Sequence, residues 1–331
     1  MRRFVALGVA LALAALGFAV LAGAVTARAD SYPSRPITIV VPYPAGGPTD
    51  TIARLLAQRM QKPLGQPVVV TNISGGGGSI GVGRVAHSPP DGYMLSIGHT
   101  QTAVFNPVIL KLDYDPVKDL APVSLIADTP IWIVANKALP PSDVKSLIAW
   151  LKAQGGKATM ATVGVGGPTD IAARLFEKVT GTTFQIVPYR GGAPVAEDLL
   201  GSHVDFAFSQ AAGTLPYVQN GQLKAYAVLQ PKRWWAAPSV PTLDELGITS
   251  VDASFWHGIW VPAGTPADVI AKLNAAIRES LADPLVQDRL KKVGQEVWPP
   301  DYQTPAALAA KQKAEMAKWT PVIKEAGIKA E

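Results

Sequence analysis

The stretch Gly46-Gly47-Pro48-Thr49-Asp50-Thr51-Ile52-Ala53-Arg54-Leu55 nearly recurs 120 positions later, as Gly166-Gly167-Pro168-Thr169-Asp170-Ile171-Ala172-Ala173-Arg174-Leu175. Each copy follows a β-branched or small apolar run, Ile37 to Val41 in the first and Ala158 to Val163 in the second, and each opens an amphipathic segment. The order is strand, glycine turn, helix start. Downstream, Pro67 to Val70, Asn72 and a glycine run answer to Phe184 to Val187, Tyr189 and Gly191-Gly192. Two copies of one βαβ unit predict two similar lobes, each offering a helix N-terminus at the end of a strand. Helix N-termini carry unpaired N–H groups and partial positive charge, so they suit anions. The repeat predicts a two-lobed trap for a small anion, and an anion with two acidic ends would use both lobes.

At 331 residues the chain is long enough for two domains with real cores. Arg2-Arg3, an apolar run from Phe4 to Val25 and the small-x-small pattern Ala27-Arg28-Ala29 predict a signal peptide at 1–29, cleaved before Asp30. A membrane anchor is the competing reading of that run; the cleavage site and the polar sequence that follows favour removal. Without the leader's three arginines, 27 basic residues face 25 acids, so the basic balance gives little support to nucleic acid as a partner. Lys232-Arg233-Trp234-Trp235 reads as a surface loop rather than a base-stacking platform. The chain has no cysteine, which excludes disulfides, thiol catalysis and a lipid-modified cysteine. A secreted, cysteine-free, soluble protein fits the periplasm of a Gram-negative bacterium.

Along the first unit the reading is strand (Ile37 to Val41), glycine turn, helix (Thr51 to Gln61), strand (Val68 to Thr71), glycine run, helix (Val82 to His87) and strand (Tyr93 to Gly98). Such alternation predicts a parallel, doubly wound sheet. Residues 125–136 read as one extended run, followed by a helix that Ser142 would cap. The second unit spans Ala158 to Ala211 in the same order. Thr265-Pro266-Ala267-Asp268 predicts a helix start with Thr265 as N-cap, after which Val269, Leu273, Ala276, Ile277 and Leu281 share one face. The predicted fold is α/β, with residues 30–130 and 255–331 as lobe 1 and 131–254 inserted as lobe 2. Crossings near 125–136 and 249–262 would make a two-stranded hinge. Ligands in such sheets sit at the carboxyl ends of the strands.

Gly76-x-Gly78-x-x-Gly81 matches a dinucleotide fingerprint, but the following strand ends in His99-Thr100-Gln101 rather than in the acid that the fingerprint requires, so no cofactor is expected. Gly77-x-Ser79-x-Gly81 matches a hydrolase nucleophile elbow, which keeps a secreted serine hydrolase using Ser79 as an alternative. Four consecutive glycines favour a loop whose N–H groups face a ligand, with Ser79 capping the next helix. His87, His99, His203 and His257 show no metal-ligand spacing; only His99 sits where it could touch solute. Asp50 and Asp170 read as first-turn carboxylates that favour their helix ends. Thr49 and Thr169 either cap or bind. Arg54 and Arg174, one turn further in, read as groups that hold each lobe together.

These residues resemble the periplasmic solute receptors of tripartite tricarboxylate transporters, the Bug receptors. The likeness rests on Tyr32-Pro-x-Arg-Pro-Ile-x-Ile-Val-Val-Pro42, Pro44-Ala45-Gly46-Gly47 with Asp50 and Ala53-Arg54, and Leu64-Gly-Gln-Pro-Val-Val-Val70. Pro90-Asp-Gly-Tyr93, Val187-Pro-Tyr-Arg-Gly191, Asp198-Leu199 and Val204-Asp205 complete it. It implies a type II periplasmic binding fold that closes on a carboxylate-bearing solute, held largely by backbone N–H groups and water. It also implies contacts from Tyr43, Pro44, Ala45, Gly46, Gly47 and Thr49, and from Gly75, Gly76, Gly77 and Gly78. Thr100 and Gln101 would add to these, with Gly164, Gly166, Gly167, Thr169 and Tyr189 from the second lobe. The family usually has Ser and then His three residues later near 167–171; Gly167-Pro168-Thr169-Asp170 departs from this and implies a second-lobe pocket of altered polarity. The expected solute is a C4–C6 dicarboxylate, with an aromatic dicarboxylate as competitor. The expected partner is the transporter's membrane permease, with the receptor itself a monomer. A receptor serving a two-component sensor is the remaining alternative.

Overall fold

Strands and helices alternate as β1 (Ile37–Val41), α1 (Pro48–Leu64), β2 (Val68–Asn72), α2 (Ser79–Ala86), β3 (Met94–His99), α3 (Asn106–Ile109) and β4 (Leu120–Leu125). After β5 (Ala127–Asp128) come β6 (Ile131–Asn136), α4 (Val144–Gln154), β7 (Thr159–Val163), α5 (Pro168–Thr180), β8 (Gln185–Tyr189) and α6 (Gly192–Leu200). Then follow β9 (Phe206–Gln210), α7 (Ala211–Gln219), β10 (Leu223–Val228) and β11 (His257–Pro262). The chain closes with α8 (Ala267–Ala282), α9 (Pro284–Lys292), β12 (Glu296–Val297) and α10 (Pro305–Glu325). This computed structural model describes residues 32–189, 191–249, 251–325 and 327–328; the predicted leader and its cleavage site lie outside them. From Arg35 onward the described residues form one compact unit. No helix among the described residues is long and apolar enough to cross a membrane.

Two five-stranded sheets organise the molecule, in the orders β2-β1-β3-β11-β4 and β10-β6-β9-β7-β8. Taken from its other edge the second is β8-β7-β9-β6-β10, so the sheets share one topology strand for strand. The sequence repeat is therefore a repeat of architecture. Strand directions correct the all-parallel expectation: β1 runs parallel to β2 and β3, and β7 to β8 and β9, whereas β11 and β6 run antiparallel to both their neighbours. The cause is where the chain enters. β6 and β11 arrive from the other sheet at the end where the parallel strands finish, so they must run back. His99, the last residue of β3, pairs with His257, the first of β11, and Gln210 at the end of β9 pairs with Ile131 at the start of β6.

The two segments that pass between the sheets lie side by side. Thr129 N–H donates to Phe255 O (3.2 Å) and Phe255 N–H to Thr129 O (2.9 Å), with a further antiparallel bridge between Pro130 and Ser254. The extended run expected at 125–136 is in fact the end of β4, the short β5 and the whole of β6. β4 itself escapes a pattern reading because Pro122 interrupts it. Two predicted caps are also corrected. Asp143, not Ser142, caps α4 in a reciprocal capping box with Ser146. Pro266 precedes α8, while Thr265 turns its hydroxyl back to Pro262 O. The predicted apolar face of α8 is buried as expected at Val269, Leu273, Ala276, Ile277 and Leu281.

Candidate functional site

The two copies of the repeat fold identically at their helix starts. In each, Pro occupies the first turn, where its missing N–H costs nothing, and glycine takes the N-cap position with no side-chain cap. The carboxylate two residues after that proline performs the same task twice. Asp50 accepts from Gly46 N–H (2.9 Å) and from Arg54 Nε (2.9 Å); Asp170 accepts from Gly166 N–H (2.8 Å) and from Arg174 Nε (3.0 Å). Each aspartate thus pins the glycine turn before its helix and the arginine one turn inside it. Gly46 (φ +86°) and Gly166 (φ +69°) need the left-handed region to present their N–H groups this way. Arg54 and Arg174 are held by these aspartates, as their position predicts.

The copies differ in what else reaches the aspartate. Asn72 at the end of β2 donates to Asp50 Oδ1 (2.9 Å) and to Tyr43 O (3.0 Å), and accepts from Arg54. At the matching position in β8, Tyr189 directs its hydroxyl to Asp198 instead. Burial raises both repeat carboxyls. At Asp50 the donors Arg54, Gly46 and Asn72 outweigh it and hold the group below the usual carboxylate range. At Asp170, which is fully buried and lacks the third donor, burial prevails and the group lies above that range.

Several of the residues expected at the site lie against one another. Tyr43 stacks on His99 at 4.6 Å and lies beside Gly78, where a Cβ would stand 3.2 Å from the Tyr43 ring and 2.7 Å from Thr102 Cγ2. Gly75, Gly76, Gly77 and Gly78 all have positive φ (+132°, +54°, +60° and +93°), a run that only glycines hold without strain. A Cβ on Gly77 would meet Gln101 Nε2 at 2.9 Å, and Gly77 O accepts from Asn106 Nδ2 (3.0 Å). From the other sheet, a Cβ on Gly166 would lie 2.4 Å from Ile109 Cδ1, so the second glycine turn reaches the segment carrying Gln101 and Asn106. Gly164 N–H donates to Tyr189 O (3.0 Å), which joins those two. Pro44 and Ala45 are exposed, while Gly47 and Gly164 are half-buried. Tyr43 Oη and Asn106 Oδ1 are buried without a hydrogen-bond partner among the described residues.

Several side chains face inward instead. Thr49 Oγ1 meets His257 Nε2 at 3.1 Å, Thr169 Oγ1 meets Thr162 Oγ1 at 2.5 Å and accepts from Val163 N–H, and Thr100 Oγ1 donates to Ser254 O. Thr49 and Thr169 therefore neither cap their helices nor point outward; only their backbone N–H groups, which have no carbonyl behind them in the helix, remain at the helix end. Ser79 is the first residue of α2 rather than its cap, which is Gly78, and no hydrogen bond joins Ser79 to a histidine among the described residues. His99 is buried against Tyr43, Phe255 and His257, so it supports the site wall. Burial pushes His99 well below the ordinary histidine range and His257 down to about 4. Asn72, Asn106 and Ile109 escape a motif reading because their roles depend on contacts with distant turns. Among the described residues no three His, Cys, Asp or Glu side chains could hold a metal ion.

Known proteins are similar to this chain in sequence and in fold. The sequence pattern described as tripartite tricarboxylate transporter family receptor matches residues 52–328. A protein encoded in the ttuE-ttuC' intergenic region of Agrobacterium vitis is 42% identical over 298 residues, covering 90% of this chain and 86% of its own length. BugT of Bordetella pertussis is 36% identical over 321 residues, covering 96% and 98%. Among solved structures, periplasmic binding protein BugD superposes with TM-score 0.82 at 38% identity, over 91% of this chain and 100% of its own. MatC from Rhodopseudomonas palustris with bound malate gives 0.81 at 34% identity, over 88% and 100%. Another R. palustris protein, with adipate, gives 0.82 at 31%, over 90% and 99%. The fold is the two-lobed periplasmic binding fold, and these neighbours are solute receptors rather than enzymes. The chain belongs to the family of tripartite tricarboxylate transporter receptors.

Proposed function

We propose that this receptor captures a linear C4–C6 dicarboxylate between two lobes, residues 30–130 with 255–331 and residues 131–254, and delivers it to the permease of a tripartite tricarboxylate transporter. The observation that carries this reading is the duplicated helix start, with the same Asp-to-Gly and Asp-to-Arg connections on both sheets. Because the aspartates occupy the Gly46 and Gly166 N–H groups, the ligand's acids would meet the first-turn N–H groups of residues 49–50 and 169–170 and the glycine run at 75–78. The arginines are committed to the aspartates, so affinity would come from several charge-assisted N–H bonds per carboxylate in a closed, dehydrated cleft. Each helix end alone adds only about 0.3–1 kcal/mol. Malate and adipate, the ligands in two family structures, are C4 and C6 dicarboxylates. The paired segments near 129 and 255 would act as a hinge, and a ligand touching both lobes would favour the closed state by its differential affinity. The mature protein would work as a periplasmic monomer starting at Asp30.

Trp132, Trp256 and Trp260 are buried in or beside the crossings, so closure would change tryptophan fluorescence. Titration with succinate, adipate, terephthalate and hexanoate tests the proposal. Dicarboxylates are expected to bind about tenfold or more tighter than hexanoate, a difference of about 1.4 kcal/mol. Equal affinity for the monocarboxylate would show that the second lobe does not read a second acid.

A further inference from the structure

The turn that ends α9 makes a contact that the other helix ends lack. Gly294 N–H donates to Lys291 O (2.9 Å) and Gln295 N–H to Leu290 O (2.9 Å), the paired bonds of a glycine-terminated helix, with Gly294 at φ +71°. Gly65, Gly155 and Gly181 end α1, α4 and α5 in the same left-handed conformation, yet a Cβ on any of them would meet nothing within 4 Å. On Gly294 it would stand 2.9 Å from Ala212 Cα and from Trp234 Cζ2. The surface it meets is firmly held. Trp234 is buried edge-on against Trp132 of β6 (5.6 Å), whose Nε1 donates to Thr214 Oγ1 of α7 (2.8 Å). Beside this contact Lys291 Nζ lies 5.1 Å from the centre of the Trp235 ring.

Its place relative to the crossings gives the contact a task. From the strands that carry the repeat's glycine turns, the sheets run β1, β3, β11, β4 and β7, β9, β6, β10. The crossings attach at β11 and β4 and at β6, so the glycine turns lie on one flank of them, where Gly166 meets Ile109. On the other flank β12 pairs with β5, Glu296 with Asp128 and Val297 with Ala127, and Trp298 N–H donates to Ile126 O (3.2 Å). Gly294 comes just before β12, and Trp234 follows β10, the strand on that same flank. A rotation about the crossings that opens a cleft at the glycine turns presses this far flank together, and closure separates it. We propose that Gly294, seated against Ala212 and Trp234, is a stop behind the hinge that limits opening and so sets solute affinity from outside the cleft. The inference rests on the reading that the two lobes close on a solute. Strain or attraction felt only in the open arrangement changes the fraction of closed receptor, and the apparent affinity follows that fraction.

Adipate titration, together with small-angle scattering of the unliganded receptor, tests the stop. Gly65→Ala is the control, because it strains the same kind of turn where nothing lies within reach. Gly294→Ala is expected to bind adipate about fivefold or more tighter than the unsubstituted receptor, through slower release, and to scatter as a more compact particle without ligand. Lys291→Ala removes an attraction to Trp235 that holds the far flank together, and is expected to compact the unliganded receptor and tighten adipate about two- to fivefold. Lys291 is exposed, so its variant reports on the stop even where Gly294→Ala fails to fold. Gly65→Ala is expected to lose stability and keep its affinity. Unchanged or weaker adipate binding by folded Lys291→Ala, unliganded scattering that neither variant alters, or an equal gain in Gly65→Ala would each overturn the proposal. An unsubstituted receptor that binds no adipate would instead refute the dicarboxylate reading, and the unliganded scattering, which needs no solute, would still decide the stop.

Discussion

Gly47 and Gly167 occupy the same place in the two repeats, yet alanine is expected to act oppositely at them. Both have ordinary backbone angles, φ −77° and −76°, so neither needs glycine for its conformation. At Gly47 the nearest atom to a new Cβ is Pro44 O at 3.8 Å, an ordinary contact. Gly47→Ala is therefore expected to change stability by no more than about 1 kcal/mol, with loss of chain entropy in the unfolded state offsetting small strain. At Gly167 the Cβ would stand 2.6 Å from Val163 O, a backbone atom that cannot swing aside, so Gly167→Ala is expected to cost about 1–3 kcal/mol as strand β7 and the turn shift. Urea melts of the two variants read this difference. Binding then tests the site, because Gly47→Ala keeps the fold while adding a methyl where solute would approach the backbone. Adipate affinity is expected to fall about tenfold or more, about 1.4 kcal/mol. A folded Gly47→Ala protein with full adipate affinity would refute the placement of solute on this turn.

The repeat aspartates are expected to differ as well: Asp50, its charge favoured by three donors, should lose about 1–3 kcal/mol as Asp50→Asn, whereas Asp170→Asn should lose less, and equal losses in urea would refute the role given to Asn72. His257, held near pKa 4, takes up a proton on unfolding below the ordinary histidine value of 6.5, so its share of stability is present at high pH and lost as pH falls from about 6.5 toward 4. That share is about 2 kcal/mol between pH 7.5 and 5, and it should be absent from the pH dependence of His257→Asn. N-terminal sequencing of protein from periplasmic extract is expected to begin at Asp30; an intact leader in a membrane fraction would refute the soluble receptor.

Sequence carried much of this because the repeat is local. The strand, glycine turn, proline and aspartate of residues 37–50 and 158–170 lie within one supersecondary unit, so their spacing alone predicts two alike lobes. The role of Arg54 and Arg174 was legible for the same reason, four residues from their aspartates. What escaped depends on distance along the chain. The reversed direction of β6 and β11 follows from which sheet the chain has just left, and no periodicity records that. Ile109 meets Gly166 across 57 positions, and Asn72 reaches Asp50 across 22, so their contributions to the site become visible only once the chain is folded. Thr49 and Thr169, polar residues at helix starts, are ambiguous between capping and binding; His257, 208 positions from Thr49, and Thr162, seven positions from Thr169 across the glycine turn, decide their orientation inward.

The shared topology of the sheets conceals an unequal dependence on chain order. All five strands of the second sheet come from residues 131–228, an uninterrupted stretch. The first sheet places β11, residues 257–262, between β3 and β4, so its centre stays open until the entire inserted segment has been passed. Closing that gap joins residues more than 130 positions apart, and ordering so long a loop is slow. Two halves with one blueprint are thus assembled on different schedules. The second sheet has every strand it needs from its own stretch of chain, whereas the first, built from strands within 37–125 and 257–262, is a late-folding unit whose unpaired β3 and β4 edges stay exposed until β11 arrives between them.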